Sequence, residues 1–406
     1  MTALHTEPEP PAPPVPIEVS VVMPCLDEAR TLPGCVRQAQ AALQAYGIAG
    51  EVIVADNGST DGSIALAEAL GARVVHATRR GYGAALQAGI AAARGEFVVM
   101  GDCDGSYDFG HLDRFVTKLR EGYDLVMGNR FTGGIERDAM PRLHRHFGNP
   151  LLTALGRGIF GEGARDFYCG LRGFRRDAYA RLRVRSQGME FALEMVALMT
   201  MFGMRVTEVP TTLRPDGRGR KPHLRTWRDG WRSLRLYLLL SPRWLFWYPG
   251  LVLMGAGFAV GVPLLLGPVV IGGVAFDVHT LAVCSTMVLV GFHAALFAAL
   301  AKAAAVRAGL HPPSSRVARL FRWLTLERGL IAGGLLGLAG LLGMASALLG
   351  WAGGAYGDLD PFQTMRIVIP SLLALGIGAE IALAACFLAF ADYVEGARRE
   401  SSARTE

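Results

Sequence analysis

The sequence predicts an α/β domain built on a mostly parallel sheet, followed by a domain of four transmembrane helices. Two observations carry this expectation. From Glu18 to about residue 240, short Val/Ile-rich runs alternate with helical patterns, as parallel strands covered on both faces do. Beyond Arg243, charges vanish over stretches long enough to cross a bilayer, which takes roughly 20 apolar residues per span. The 406 residues suit two domains better than a single core. With 51% hydrophobic and 19% charged residues, a mainly disordered chain is excluded. The 41 Lys and Arg against 35 Asp and Glu leave +6, too small an excess to demand a nucleic-acid partner. Six scattered cysteines without a CxxC pair argue against a disulfide framework or a zinc site.

In chain order, residues 1–16 hold six prolines and no apolar periodicity, and so are expected to be a disordered tail. They lack the basic and apolar regions of a signal peptide, which leaves the next domain, residues 17–223, in the cytosol. Strands are expected at Val19–Met23, Glu51–Ala55, Val74–His76, Phe97–Met100 and Leu125–Met127. Helices are expected near Leu32–Tyr46, Gly62–Leu70, Gly83–Ala93 and His111–Arg120. Over residues 224–242, Leu224, Trp227, Trp231, Leu234 and Leu238 recur at helical spacing beside Arg225, Arg228, Arg232 and Arg235. That pattern fits an amphipathic helix lying on anionic lipid.

Residues 243–395 are expected to hold the four spans, and 396–406 a cytosolic tail. No Asp, Glu, Lys or Arg lies between Arg243 and Asp277, between Asp277 and Lys302, or between Arg328 and Asp358. The fourth stretch, Ile367–Ala391, is interrupted only by Glu380. The first stretch exceeds one span and contains Pro249, Pro263 and Pro268, so part of it is expected at an interface. Lys302, Arg307, Arg316, Arg319, Arg322 and Arg328 fill the middle loop, and Arg398, Arg399 and Arg404 follow the last span. The positive-inside rule therefore puts the first domain, that loop and the C-terminus in the cytoplasm. His293 and Glu380 fall mid-span, where ionisable groups are costly, and are expected to share a hydrogen bond. Gly333, Gly334, Gly337 and Gly340 suggest close helix contact, within one subunit or between the subunits of a homo-oligomer.

Ligands of such sheets bind beyond the carboxyl ends of the strands, and there the sequence is rich. The first strand runs into Pro24-Cys25-Leu26-Asp27-Glu28 and the second into Asp56-Asn57-Gly58-Ser59-Thr60-Asp61. Arg79-Arg80-Gly81-Tyr82-Gly83 follows the third and Asp102-Cys103-Asp104 the fourth. Strand-end carboxylates accept hydrogen bonds from a ribose or a base, and Gly81 and Gly83 allow close backbone approach to a ligand. Two carboxylates at i and i+2 can hold a hard divalent cation while leaving positions open for phosphate oxygens.

In combination these residues resemble the family 2 glycosyltransferases, over about Ser20–Arg235. Asp27 stands where that family usually has Asn, Asn57 where its second Asp lies, and Asp102-Cys103-Asp104 matches its DxD motif. Gly128-Asn129-Arg130 is similar to its Gly-Ser-Arg, Asp166 to Phe174 to its acceptor-side segment, and Glu208-Val209-Pro210 to its closing strand. The branch most resembled is that of the polyprenyl-phosphate hexose synthases, part of which carries a four-span anchor. Ser106 stands where some of the mannose synthases have Gln.

The resemblance implies a GT-A fold and transfer of a hexose from a nucleoside-diphosphate sugar to a polyprenyl phosphate, with inversion, at the inner membrane. It implies Mg²⁺ or Mn²⁺ held by Asp102 and Asp104, with donor contacts from Pro24, Asp27, Glu28, Asp56, Arg79, Gly83 and Cys103. Arg218 and Lys221 would close over the diphosphate. A lipid phosphate is already anionic, so it needs cations more than a base, and Arg130 and Arg172 suit that task. Asp166 is either a base or an orienting residue. The rivals are a processive polysaccharide synthase, for which the Gln-x-x-Arg-Trp gate is missing near residues 210–245, and a catalytically silent membrane anchor.

Overall fold

The computed structural model describes residues 16–219, 226–313, 325–354 and 356–403. The expected N-terminal tail, apart from its last residue, lies outside these residues, as do Arg220, Lys221, Leu224, Arg225 and the middle-loop arginines 316, 319 and 322. The chain divides into two units, Met1–Tyr237 and Leu238–Glu406.

The first unit holds a seven-stranded sheet of order β3-β2-β1-β4-β6-β5-β7. Its strands are β1 Val19–Cys25, β2 Gly50–Asp56, β3 Arg73–His76, β4 Phe97–Met100, β5 Leu125–Asn129, β6 Arg172–Arg175 and β7 Val206–Pro210. β6 alone is antiparallel to its neighbours. Nothing in the sequence marks it, because four residues with arginines at both ends break the Val/Ile pattern of the others. The mostly parallel sheet is otherwise as expected, and β4, β1 apart from Pro24, and β2 from Val52 to Asp56 are buried.

The helices are α1 Leu32–Ala45, α2 Ser63–Ala69, α3 Tyr82–Ala92, α4 Leu112–Arg120, α5 Arg130–Gly133, α6 Asn149–Phe160, α7 Arg176–Ala180, α8 Phe191–Met201 and α9 Thr226–Leu239. α4 shows how pattern becomes packing. Leu112, Phe115, Val116 and Leu119 recur on one face and are buried, while Asp113 near its start and Lys118 and Arg120 near its end complement the helix dipole. In register, Cys25 lies opposite Asp56 and Asp56 opposite His76. The parallel strands thus release their following residues at one edge.

The second unit contains four helices long and apolar enough to cross a membrane: Arg243–Leu266, Val278–Arg307, Leu326–Gly353 and Pro361–Val394. The last continues to Ala403. The surplus of the first apolar stretch folds as a small hairpin, Val269–Ile271 with Val274–Phe276. His293 Nδ1 and Glu380 Oε1 are 2.9 Å apart, the hydrogen bond the sequence predicts. The third and fourth helices meet backbone to backbone within the chain. A Cβ on Gly333 would sit 2.5 Å from the Gly378 carbonyl oxygen, and one on Gly340 2.5 Å from that of Ser371.

Candidate active site

A cavity of about 1330 Å³ opens at the carboxyl edge of the sheet in the first unit. Its lining includes Pro24, Cys25, Asp27, Glu28, Arg80, Tyr82, Asp102, Asp104, Tyr107, Arg130 and Arg218.

The turn after β1 is fixed by the turn after β2. Asp27 takes a left-handed backbone, φ 56°, which Asn and Asp tolerate better than most residues. Its Oδ1 accepts from the Thr60 amide at 2.8 Å, and its own amide donates to Ser59 Oγ at 3.0 Å. Asp56 caps the same turn, accepting from the Gly58 and Ser59 amides at 3.0 Å each. These bonds hold its carboxyl below the usual range despite burial.

Asp104 Oδ1 accepts from the Ser106 amide at 2.9 Å and from its hydroxyl at 2.6 Å, which aims Oδ2 away from Ser106. Arg218 meets that second oxygen with Nη2 at 3.2 Å and reaches Glu28 Oε1 with Nε at 2.6 Å. The backbone follows: the Gly217 amide donates to the Asp104 carbonyl at 2.8 Å, and the Arg214 amide to that of Ser106 at 2.9 Å. Burial and the Asp104 charge push the Asp102 carboxyl up to about 6, against the pull of Tyr82, Arg218 and Arg172.

On the opposite side a buried network positions Arg130. Its Nε and Nη2 donate to Asp166 Oδ2 and Oδ1, both at 2.7 Å, and its amide adds a third bond at 3.1 Å. Asp166 is held in turn by Glu208. Glu208 Oε1 accepts from the Arg165 and Asp166 amides at 2.7 and 2.9 Å, and Oε2 from Asn129 Nδ2 at 3.0 Å.

Several sequence expectations shift. Arg172 is wholly buried off the cavity, donating to the carbonyls of Ala192, at 2.6 Å, and Cys169. The Cys103 thiol turns back to the Pro24 carbonyl at 3.0 Å, and of Asp102-Cys103-Asp104 only the two aspartates line the cavity. Arg79 is exposed and outside the lining, and its neighbour Arg80 takes that place. Gly83 packs rather than opens: a Cβ there would meet Phe191 Cβ and the Ser186 carbonyl oxygen at 2.6 Å. Lys221 falls outside the described residues. Asp166 is fully buried with both oxygens engaged by Arg130, an arrangement that orients a guanidinium.

The outer part of the cavity was not expected. Leu143, Phe147 and Leu151, spaced by four, form an exposed apolar ridge leading into α6, with Phe147 60% exposed. Trp227 and Trp231 of α9 join the lining and are 85% and 60% exposed, whereas the polar Asp229 and Ser233 are buried. The four-residue spacing was the signal that could have marked the ridge. For Tyr107, whose hydroxyl accepts from the Gly170 amide at 2.7 Å, the sequence offers none.

Family models match both parts of the chain. Residues 20–183 match "Glycosyl transferase family 2" and residues 299–392 the "Glycosyltransferase family 2 C-terminal transmembrane region". The low-salt glycan biosynthesis hexosyltransferase Agl6 of Haloferax volcanii is 34% identical over 370 residues, covering 88% of this chain and 87% of that protein. The chain belongs to glycosyltransferase family 2. This glycosyltransferase is also 34% identical to the dolichyl-phosphate hexose transferase of the same organism, over 40% of its own length and 70% of the relative's. The undecaprenyl-phosphate 4-deoxy-4-formamido-L-arabinose transferase of Salmonella paratyphi A is 30% identical, over 48% and 58%. It is a membrane glycosyltransferase with a GT-A-like sheet, as the sequence predicts.

The donor set suits a hard divalent cation. Asp102 and Asp104 present carboxylate oxygens on the cavity wall beside Glu28, and a guanidinium already sits among them. Among the described residues no three His, Cys, Asp or Glu side chains converge as a metal site.

Proposed function

We propose that this glycosyltransferase moves a hexose from a nucleoside-diphosphate sugar to a polyprenyl phosphate at the cytoplasmic face of the inner membrane, inverting the anomeric centre. The observation that carries this reading is a single cavity that joins a carboxylate and arginine floor to an apolar, tryptophan-bearing rim. A sugar hydroxyl acceptor has no use for such a rim, whereas an isoprenoid chain does. The names of two relatives, which specify dolichyl and undecaprenyl phosphate, agree.

Asp27, Glu28 and Asp56 lie at the edge suited to ribose and base. Arg80 and Arg218 supply positive charge for the diphosphate. Asp102 and Asp104 would hold Mg²⁺ or Mn²⁺, which when bound supplies charge against the leaving diphosphate. Arg130 holds the acceptor phosphate in line. Its two bonds to Asp166 use Nε and Nη2, so Nη1 is the edge offered to an anion. A phosphate oxygen attacks the anomeric carbon and forms the new C–O bond. The old C–O bond breaks, its electron pair leaving with the nucleoside diphosphate. The nucleophile carries no proton to remove, so Asp166 serves as the orienting residue.

Membranes carrying the full chain, incubated with labelled UDP-glucose or GDP-mannose and Mn²⁺, test this. Label is expected in the lipid extract and is lost in Asp104→Asn. Label confined to a polymer, or equal label in the variant, overturns the reading.

A further inference from the structure

A second group of polar side chains lies in the membrane unit. Lys302, near the end of the second span, places Nζ 2.7 Å from His311 Nδ1. His311 is buried, and burial together with the Lys302 charge pulls its imidazole down to about 4. The ring is therefore neutral at pH 7, with Nδ1 accepting from the ammonium while the other ring nitrogen donates to the Leu240 carbonyl. That chain of bonds anchors the ammonium in one place.

The turn that opens the first span, Arg243–Trp247, packs on the second span, with the Phe246 and Phe297 rings 6.2 Å apart, and brings the Arg243 charge to bear on Lys302. Lys302 is half-buried and Arg243 exposed. Among the described residues neither is paired with a carboxylate, and the nearby Arg307 is satisfied by Asp392. Two like charges that bear on each other, one of them half-buried, repel, and an anion between them would relieve that cost. The same helix end carries Trp244, Trp247 and Tyr248, all exposed, with Trp244 and Tyr248 edge to face at 5.1 Å. Aromatic side chains of this kind mark headgroup depth.

We propose that Arg243 and Lys302 bind the phosphate group of a membrane lipid, with His311 as the residue that positions the ammonium. The site lies wholly within the membrane unit and does not depend on the reaction proposed above. The phosphate comes either from a glycerophospholipid or from an isoprenyl phosphate, and binding tells them apart without turnover.

The test uses the purified full chain in neutral detergent, stripped of lipid, with retained lipid read by native mass spectrometry. Wild type is expected to retain phosphatidylglycerol over phosphatidylcholine, and Arg243→Gln/Lys302→Gln to weaken that retention by about tenfold or more. Lys302→Arg should keep it. If the double variant does not fold, each single Gln variant is expected to show about a threefold loss. Displacement of phosphatidylglycerol by equimolar undecaprenyl phosphate supports an isoprenoid source, and failure to displace it supports the glycerophospholipid. A wild type that does not distinguish the two glycerophospholipids and does not retain undecaprenyl phosphate overturns the site. So does a folded double variant that binds as wild type does.

Discussion

Arg130 and Asp166 form a two-pronged ion pair inside the catalytic unit, both bonds 2.7 Å long and the carboxylate fully buried. Breaking one partner of such a pair strands a buried charge. Asp166→Ala is expected to cost about 3–5 kcal/mol of stability, measured by denaturation of the purified protein. Asp166→Asn keeps the shape but weakens the grip on Arg130, so the acceptor KM should rise more than the donor KM. An Asp166→Asn variant with unchanged acceptor KM and activity lost through kcat alone would restore Asp166 as the base.

Arg218 sits among Glu28, Asp104 and Asp102, where its positive charge offsets theirs. Arg218→Ala should lower the melting temperature of the metal-free protein and enlarge the stabilisation that Mn²⁺ gives. It should also reduce turnover by about tenfold or more. Equal Mn²⁺ shifts in the two proteins would show that the guanidinium and the ion do not share those carboxylates.

The membrane helices offer a paired comparison. Gly333 faces the Gly378 carbonyl, whereas a Cβ on Gly334 meets nothing within 4 Å. Gly333→Val is expected to force the third and fourth helices apart and lower the melting temperature in detergent by several degrees, a cost of about 1–3 kcal/mol. Gly334→Val should leave it nearly unchanged.

His311 gives the bundle a pH dependence. Its folded pKa, about 4, lies below the ordinary value, so the unfolded chain binds the extra proton between that value and about 6.5. The contribution is therefore complete above about pH 6.5 and is lost as pH falls toward 4, up to about 3 kcal/mol. The melting temperature of wild type should fall over this window more steeply than that of His311→Gln.

Much of this was legible in the sequence. Val/Ile runs mark every long strand because a strand buried on both faces needs them. Mid-span His293 and Glu380 announce their bond because an unpaired ionisable group is costly in lipid. What escaped depends on direction rather than composition. Arg79 and Arg80 are neighbours in one turn, and only its path decides which faces the cavity. Arg172 reads as a phosphate ligand until two backbone carbonyls are found to occupy it. Cys103 sits between two aspartates in sequence, yet the bend that follows β4 turns its thiol to the Pro24 carbonyl.

The one reversed strand has a consequence for how this enzyme can diversify. Because β6 runs against β4 and β5, its entry, not its exit, lies at the edge where the other strands end. Phe167, Tyr168 and Gly170 therefore reach the cavity from the opposite chain direction to Asp27 and Asp102. Insertions ahead of β6 can remodel one wall while the turns that follow β1, β2 and β4 keep their lengths, so that wall can change shape independently of the rest of the cavity.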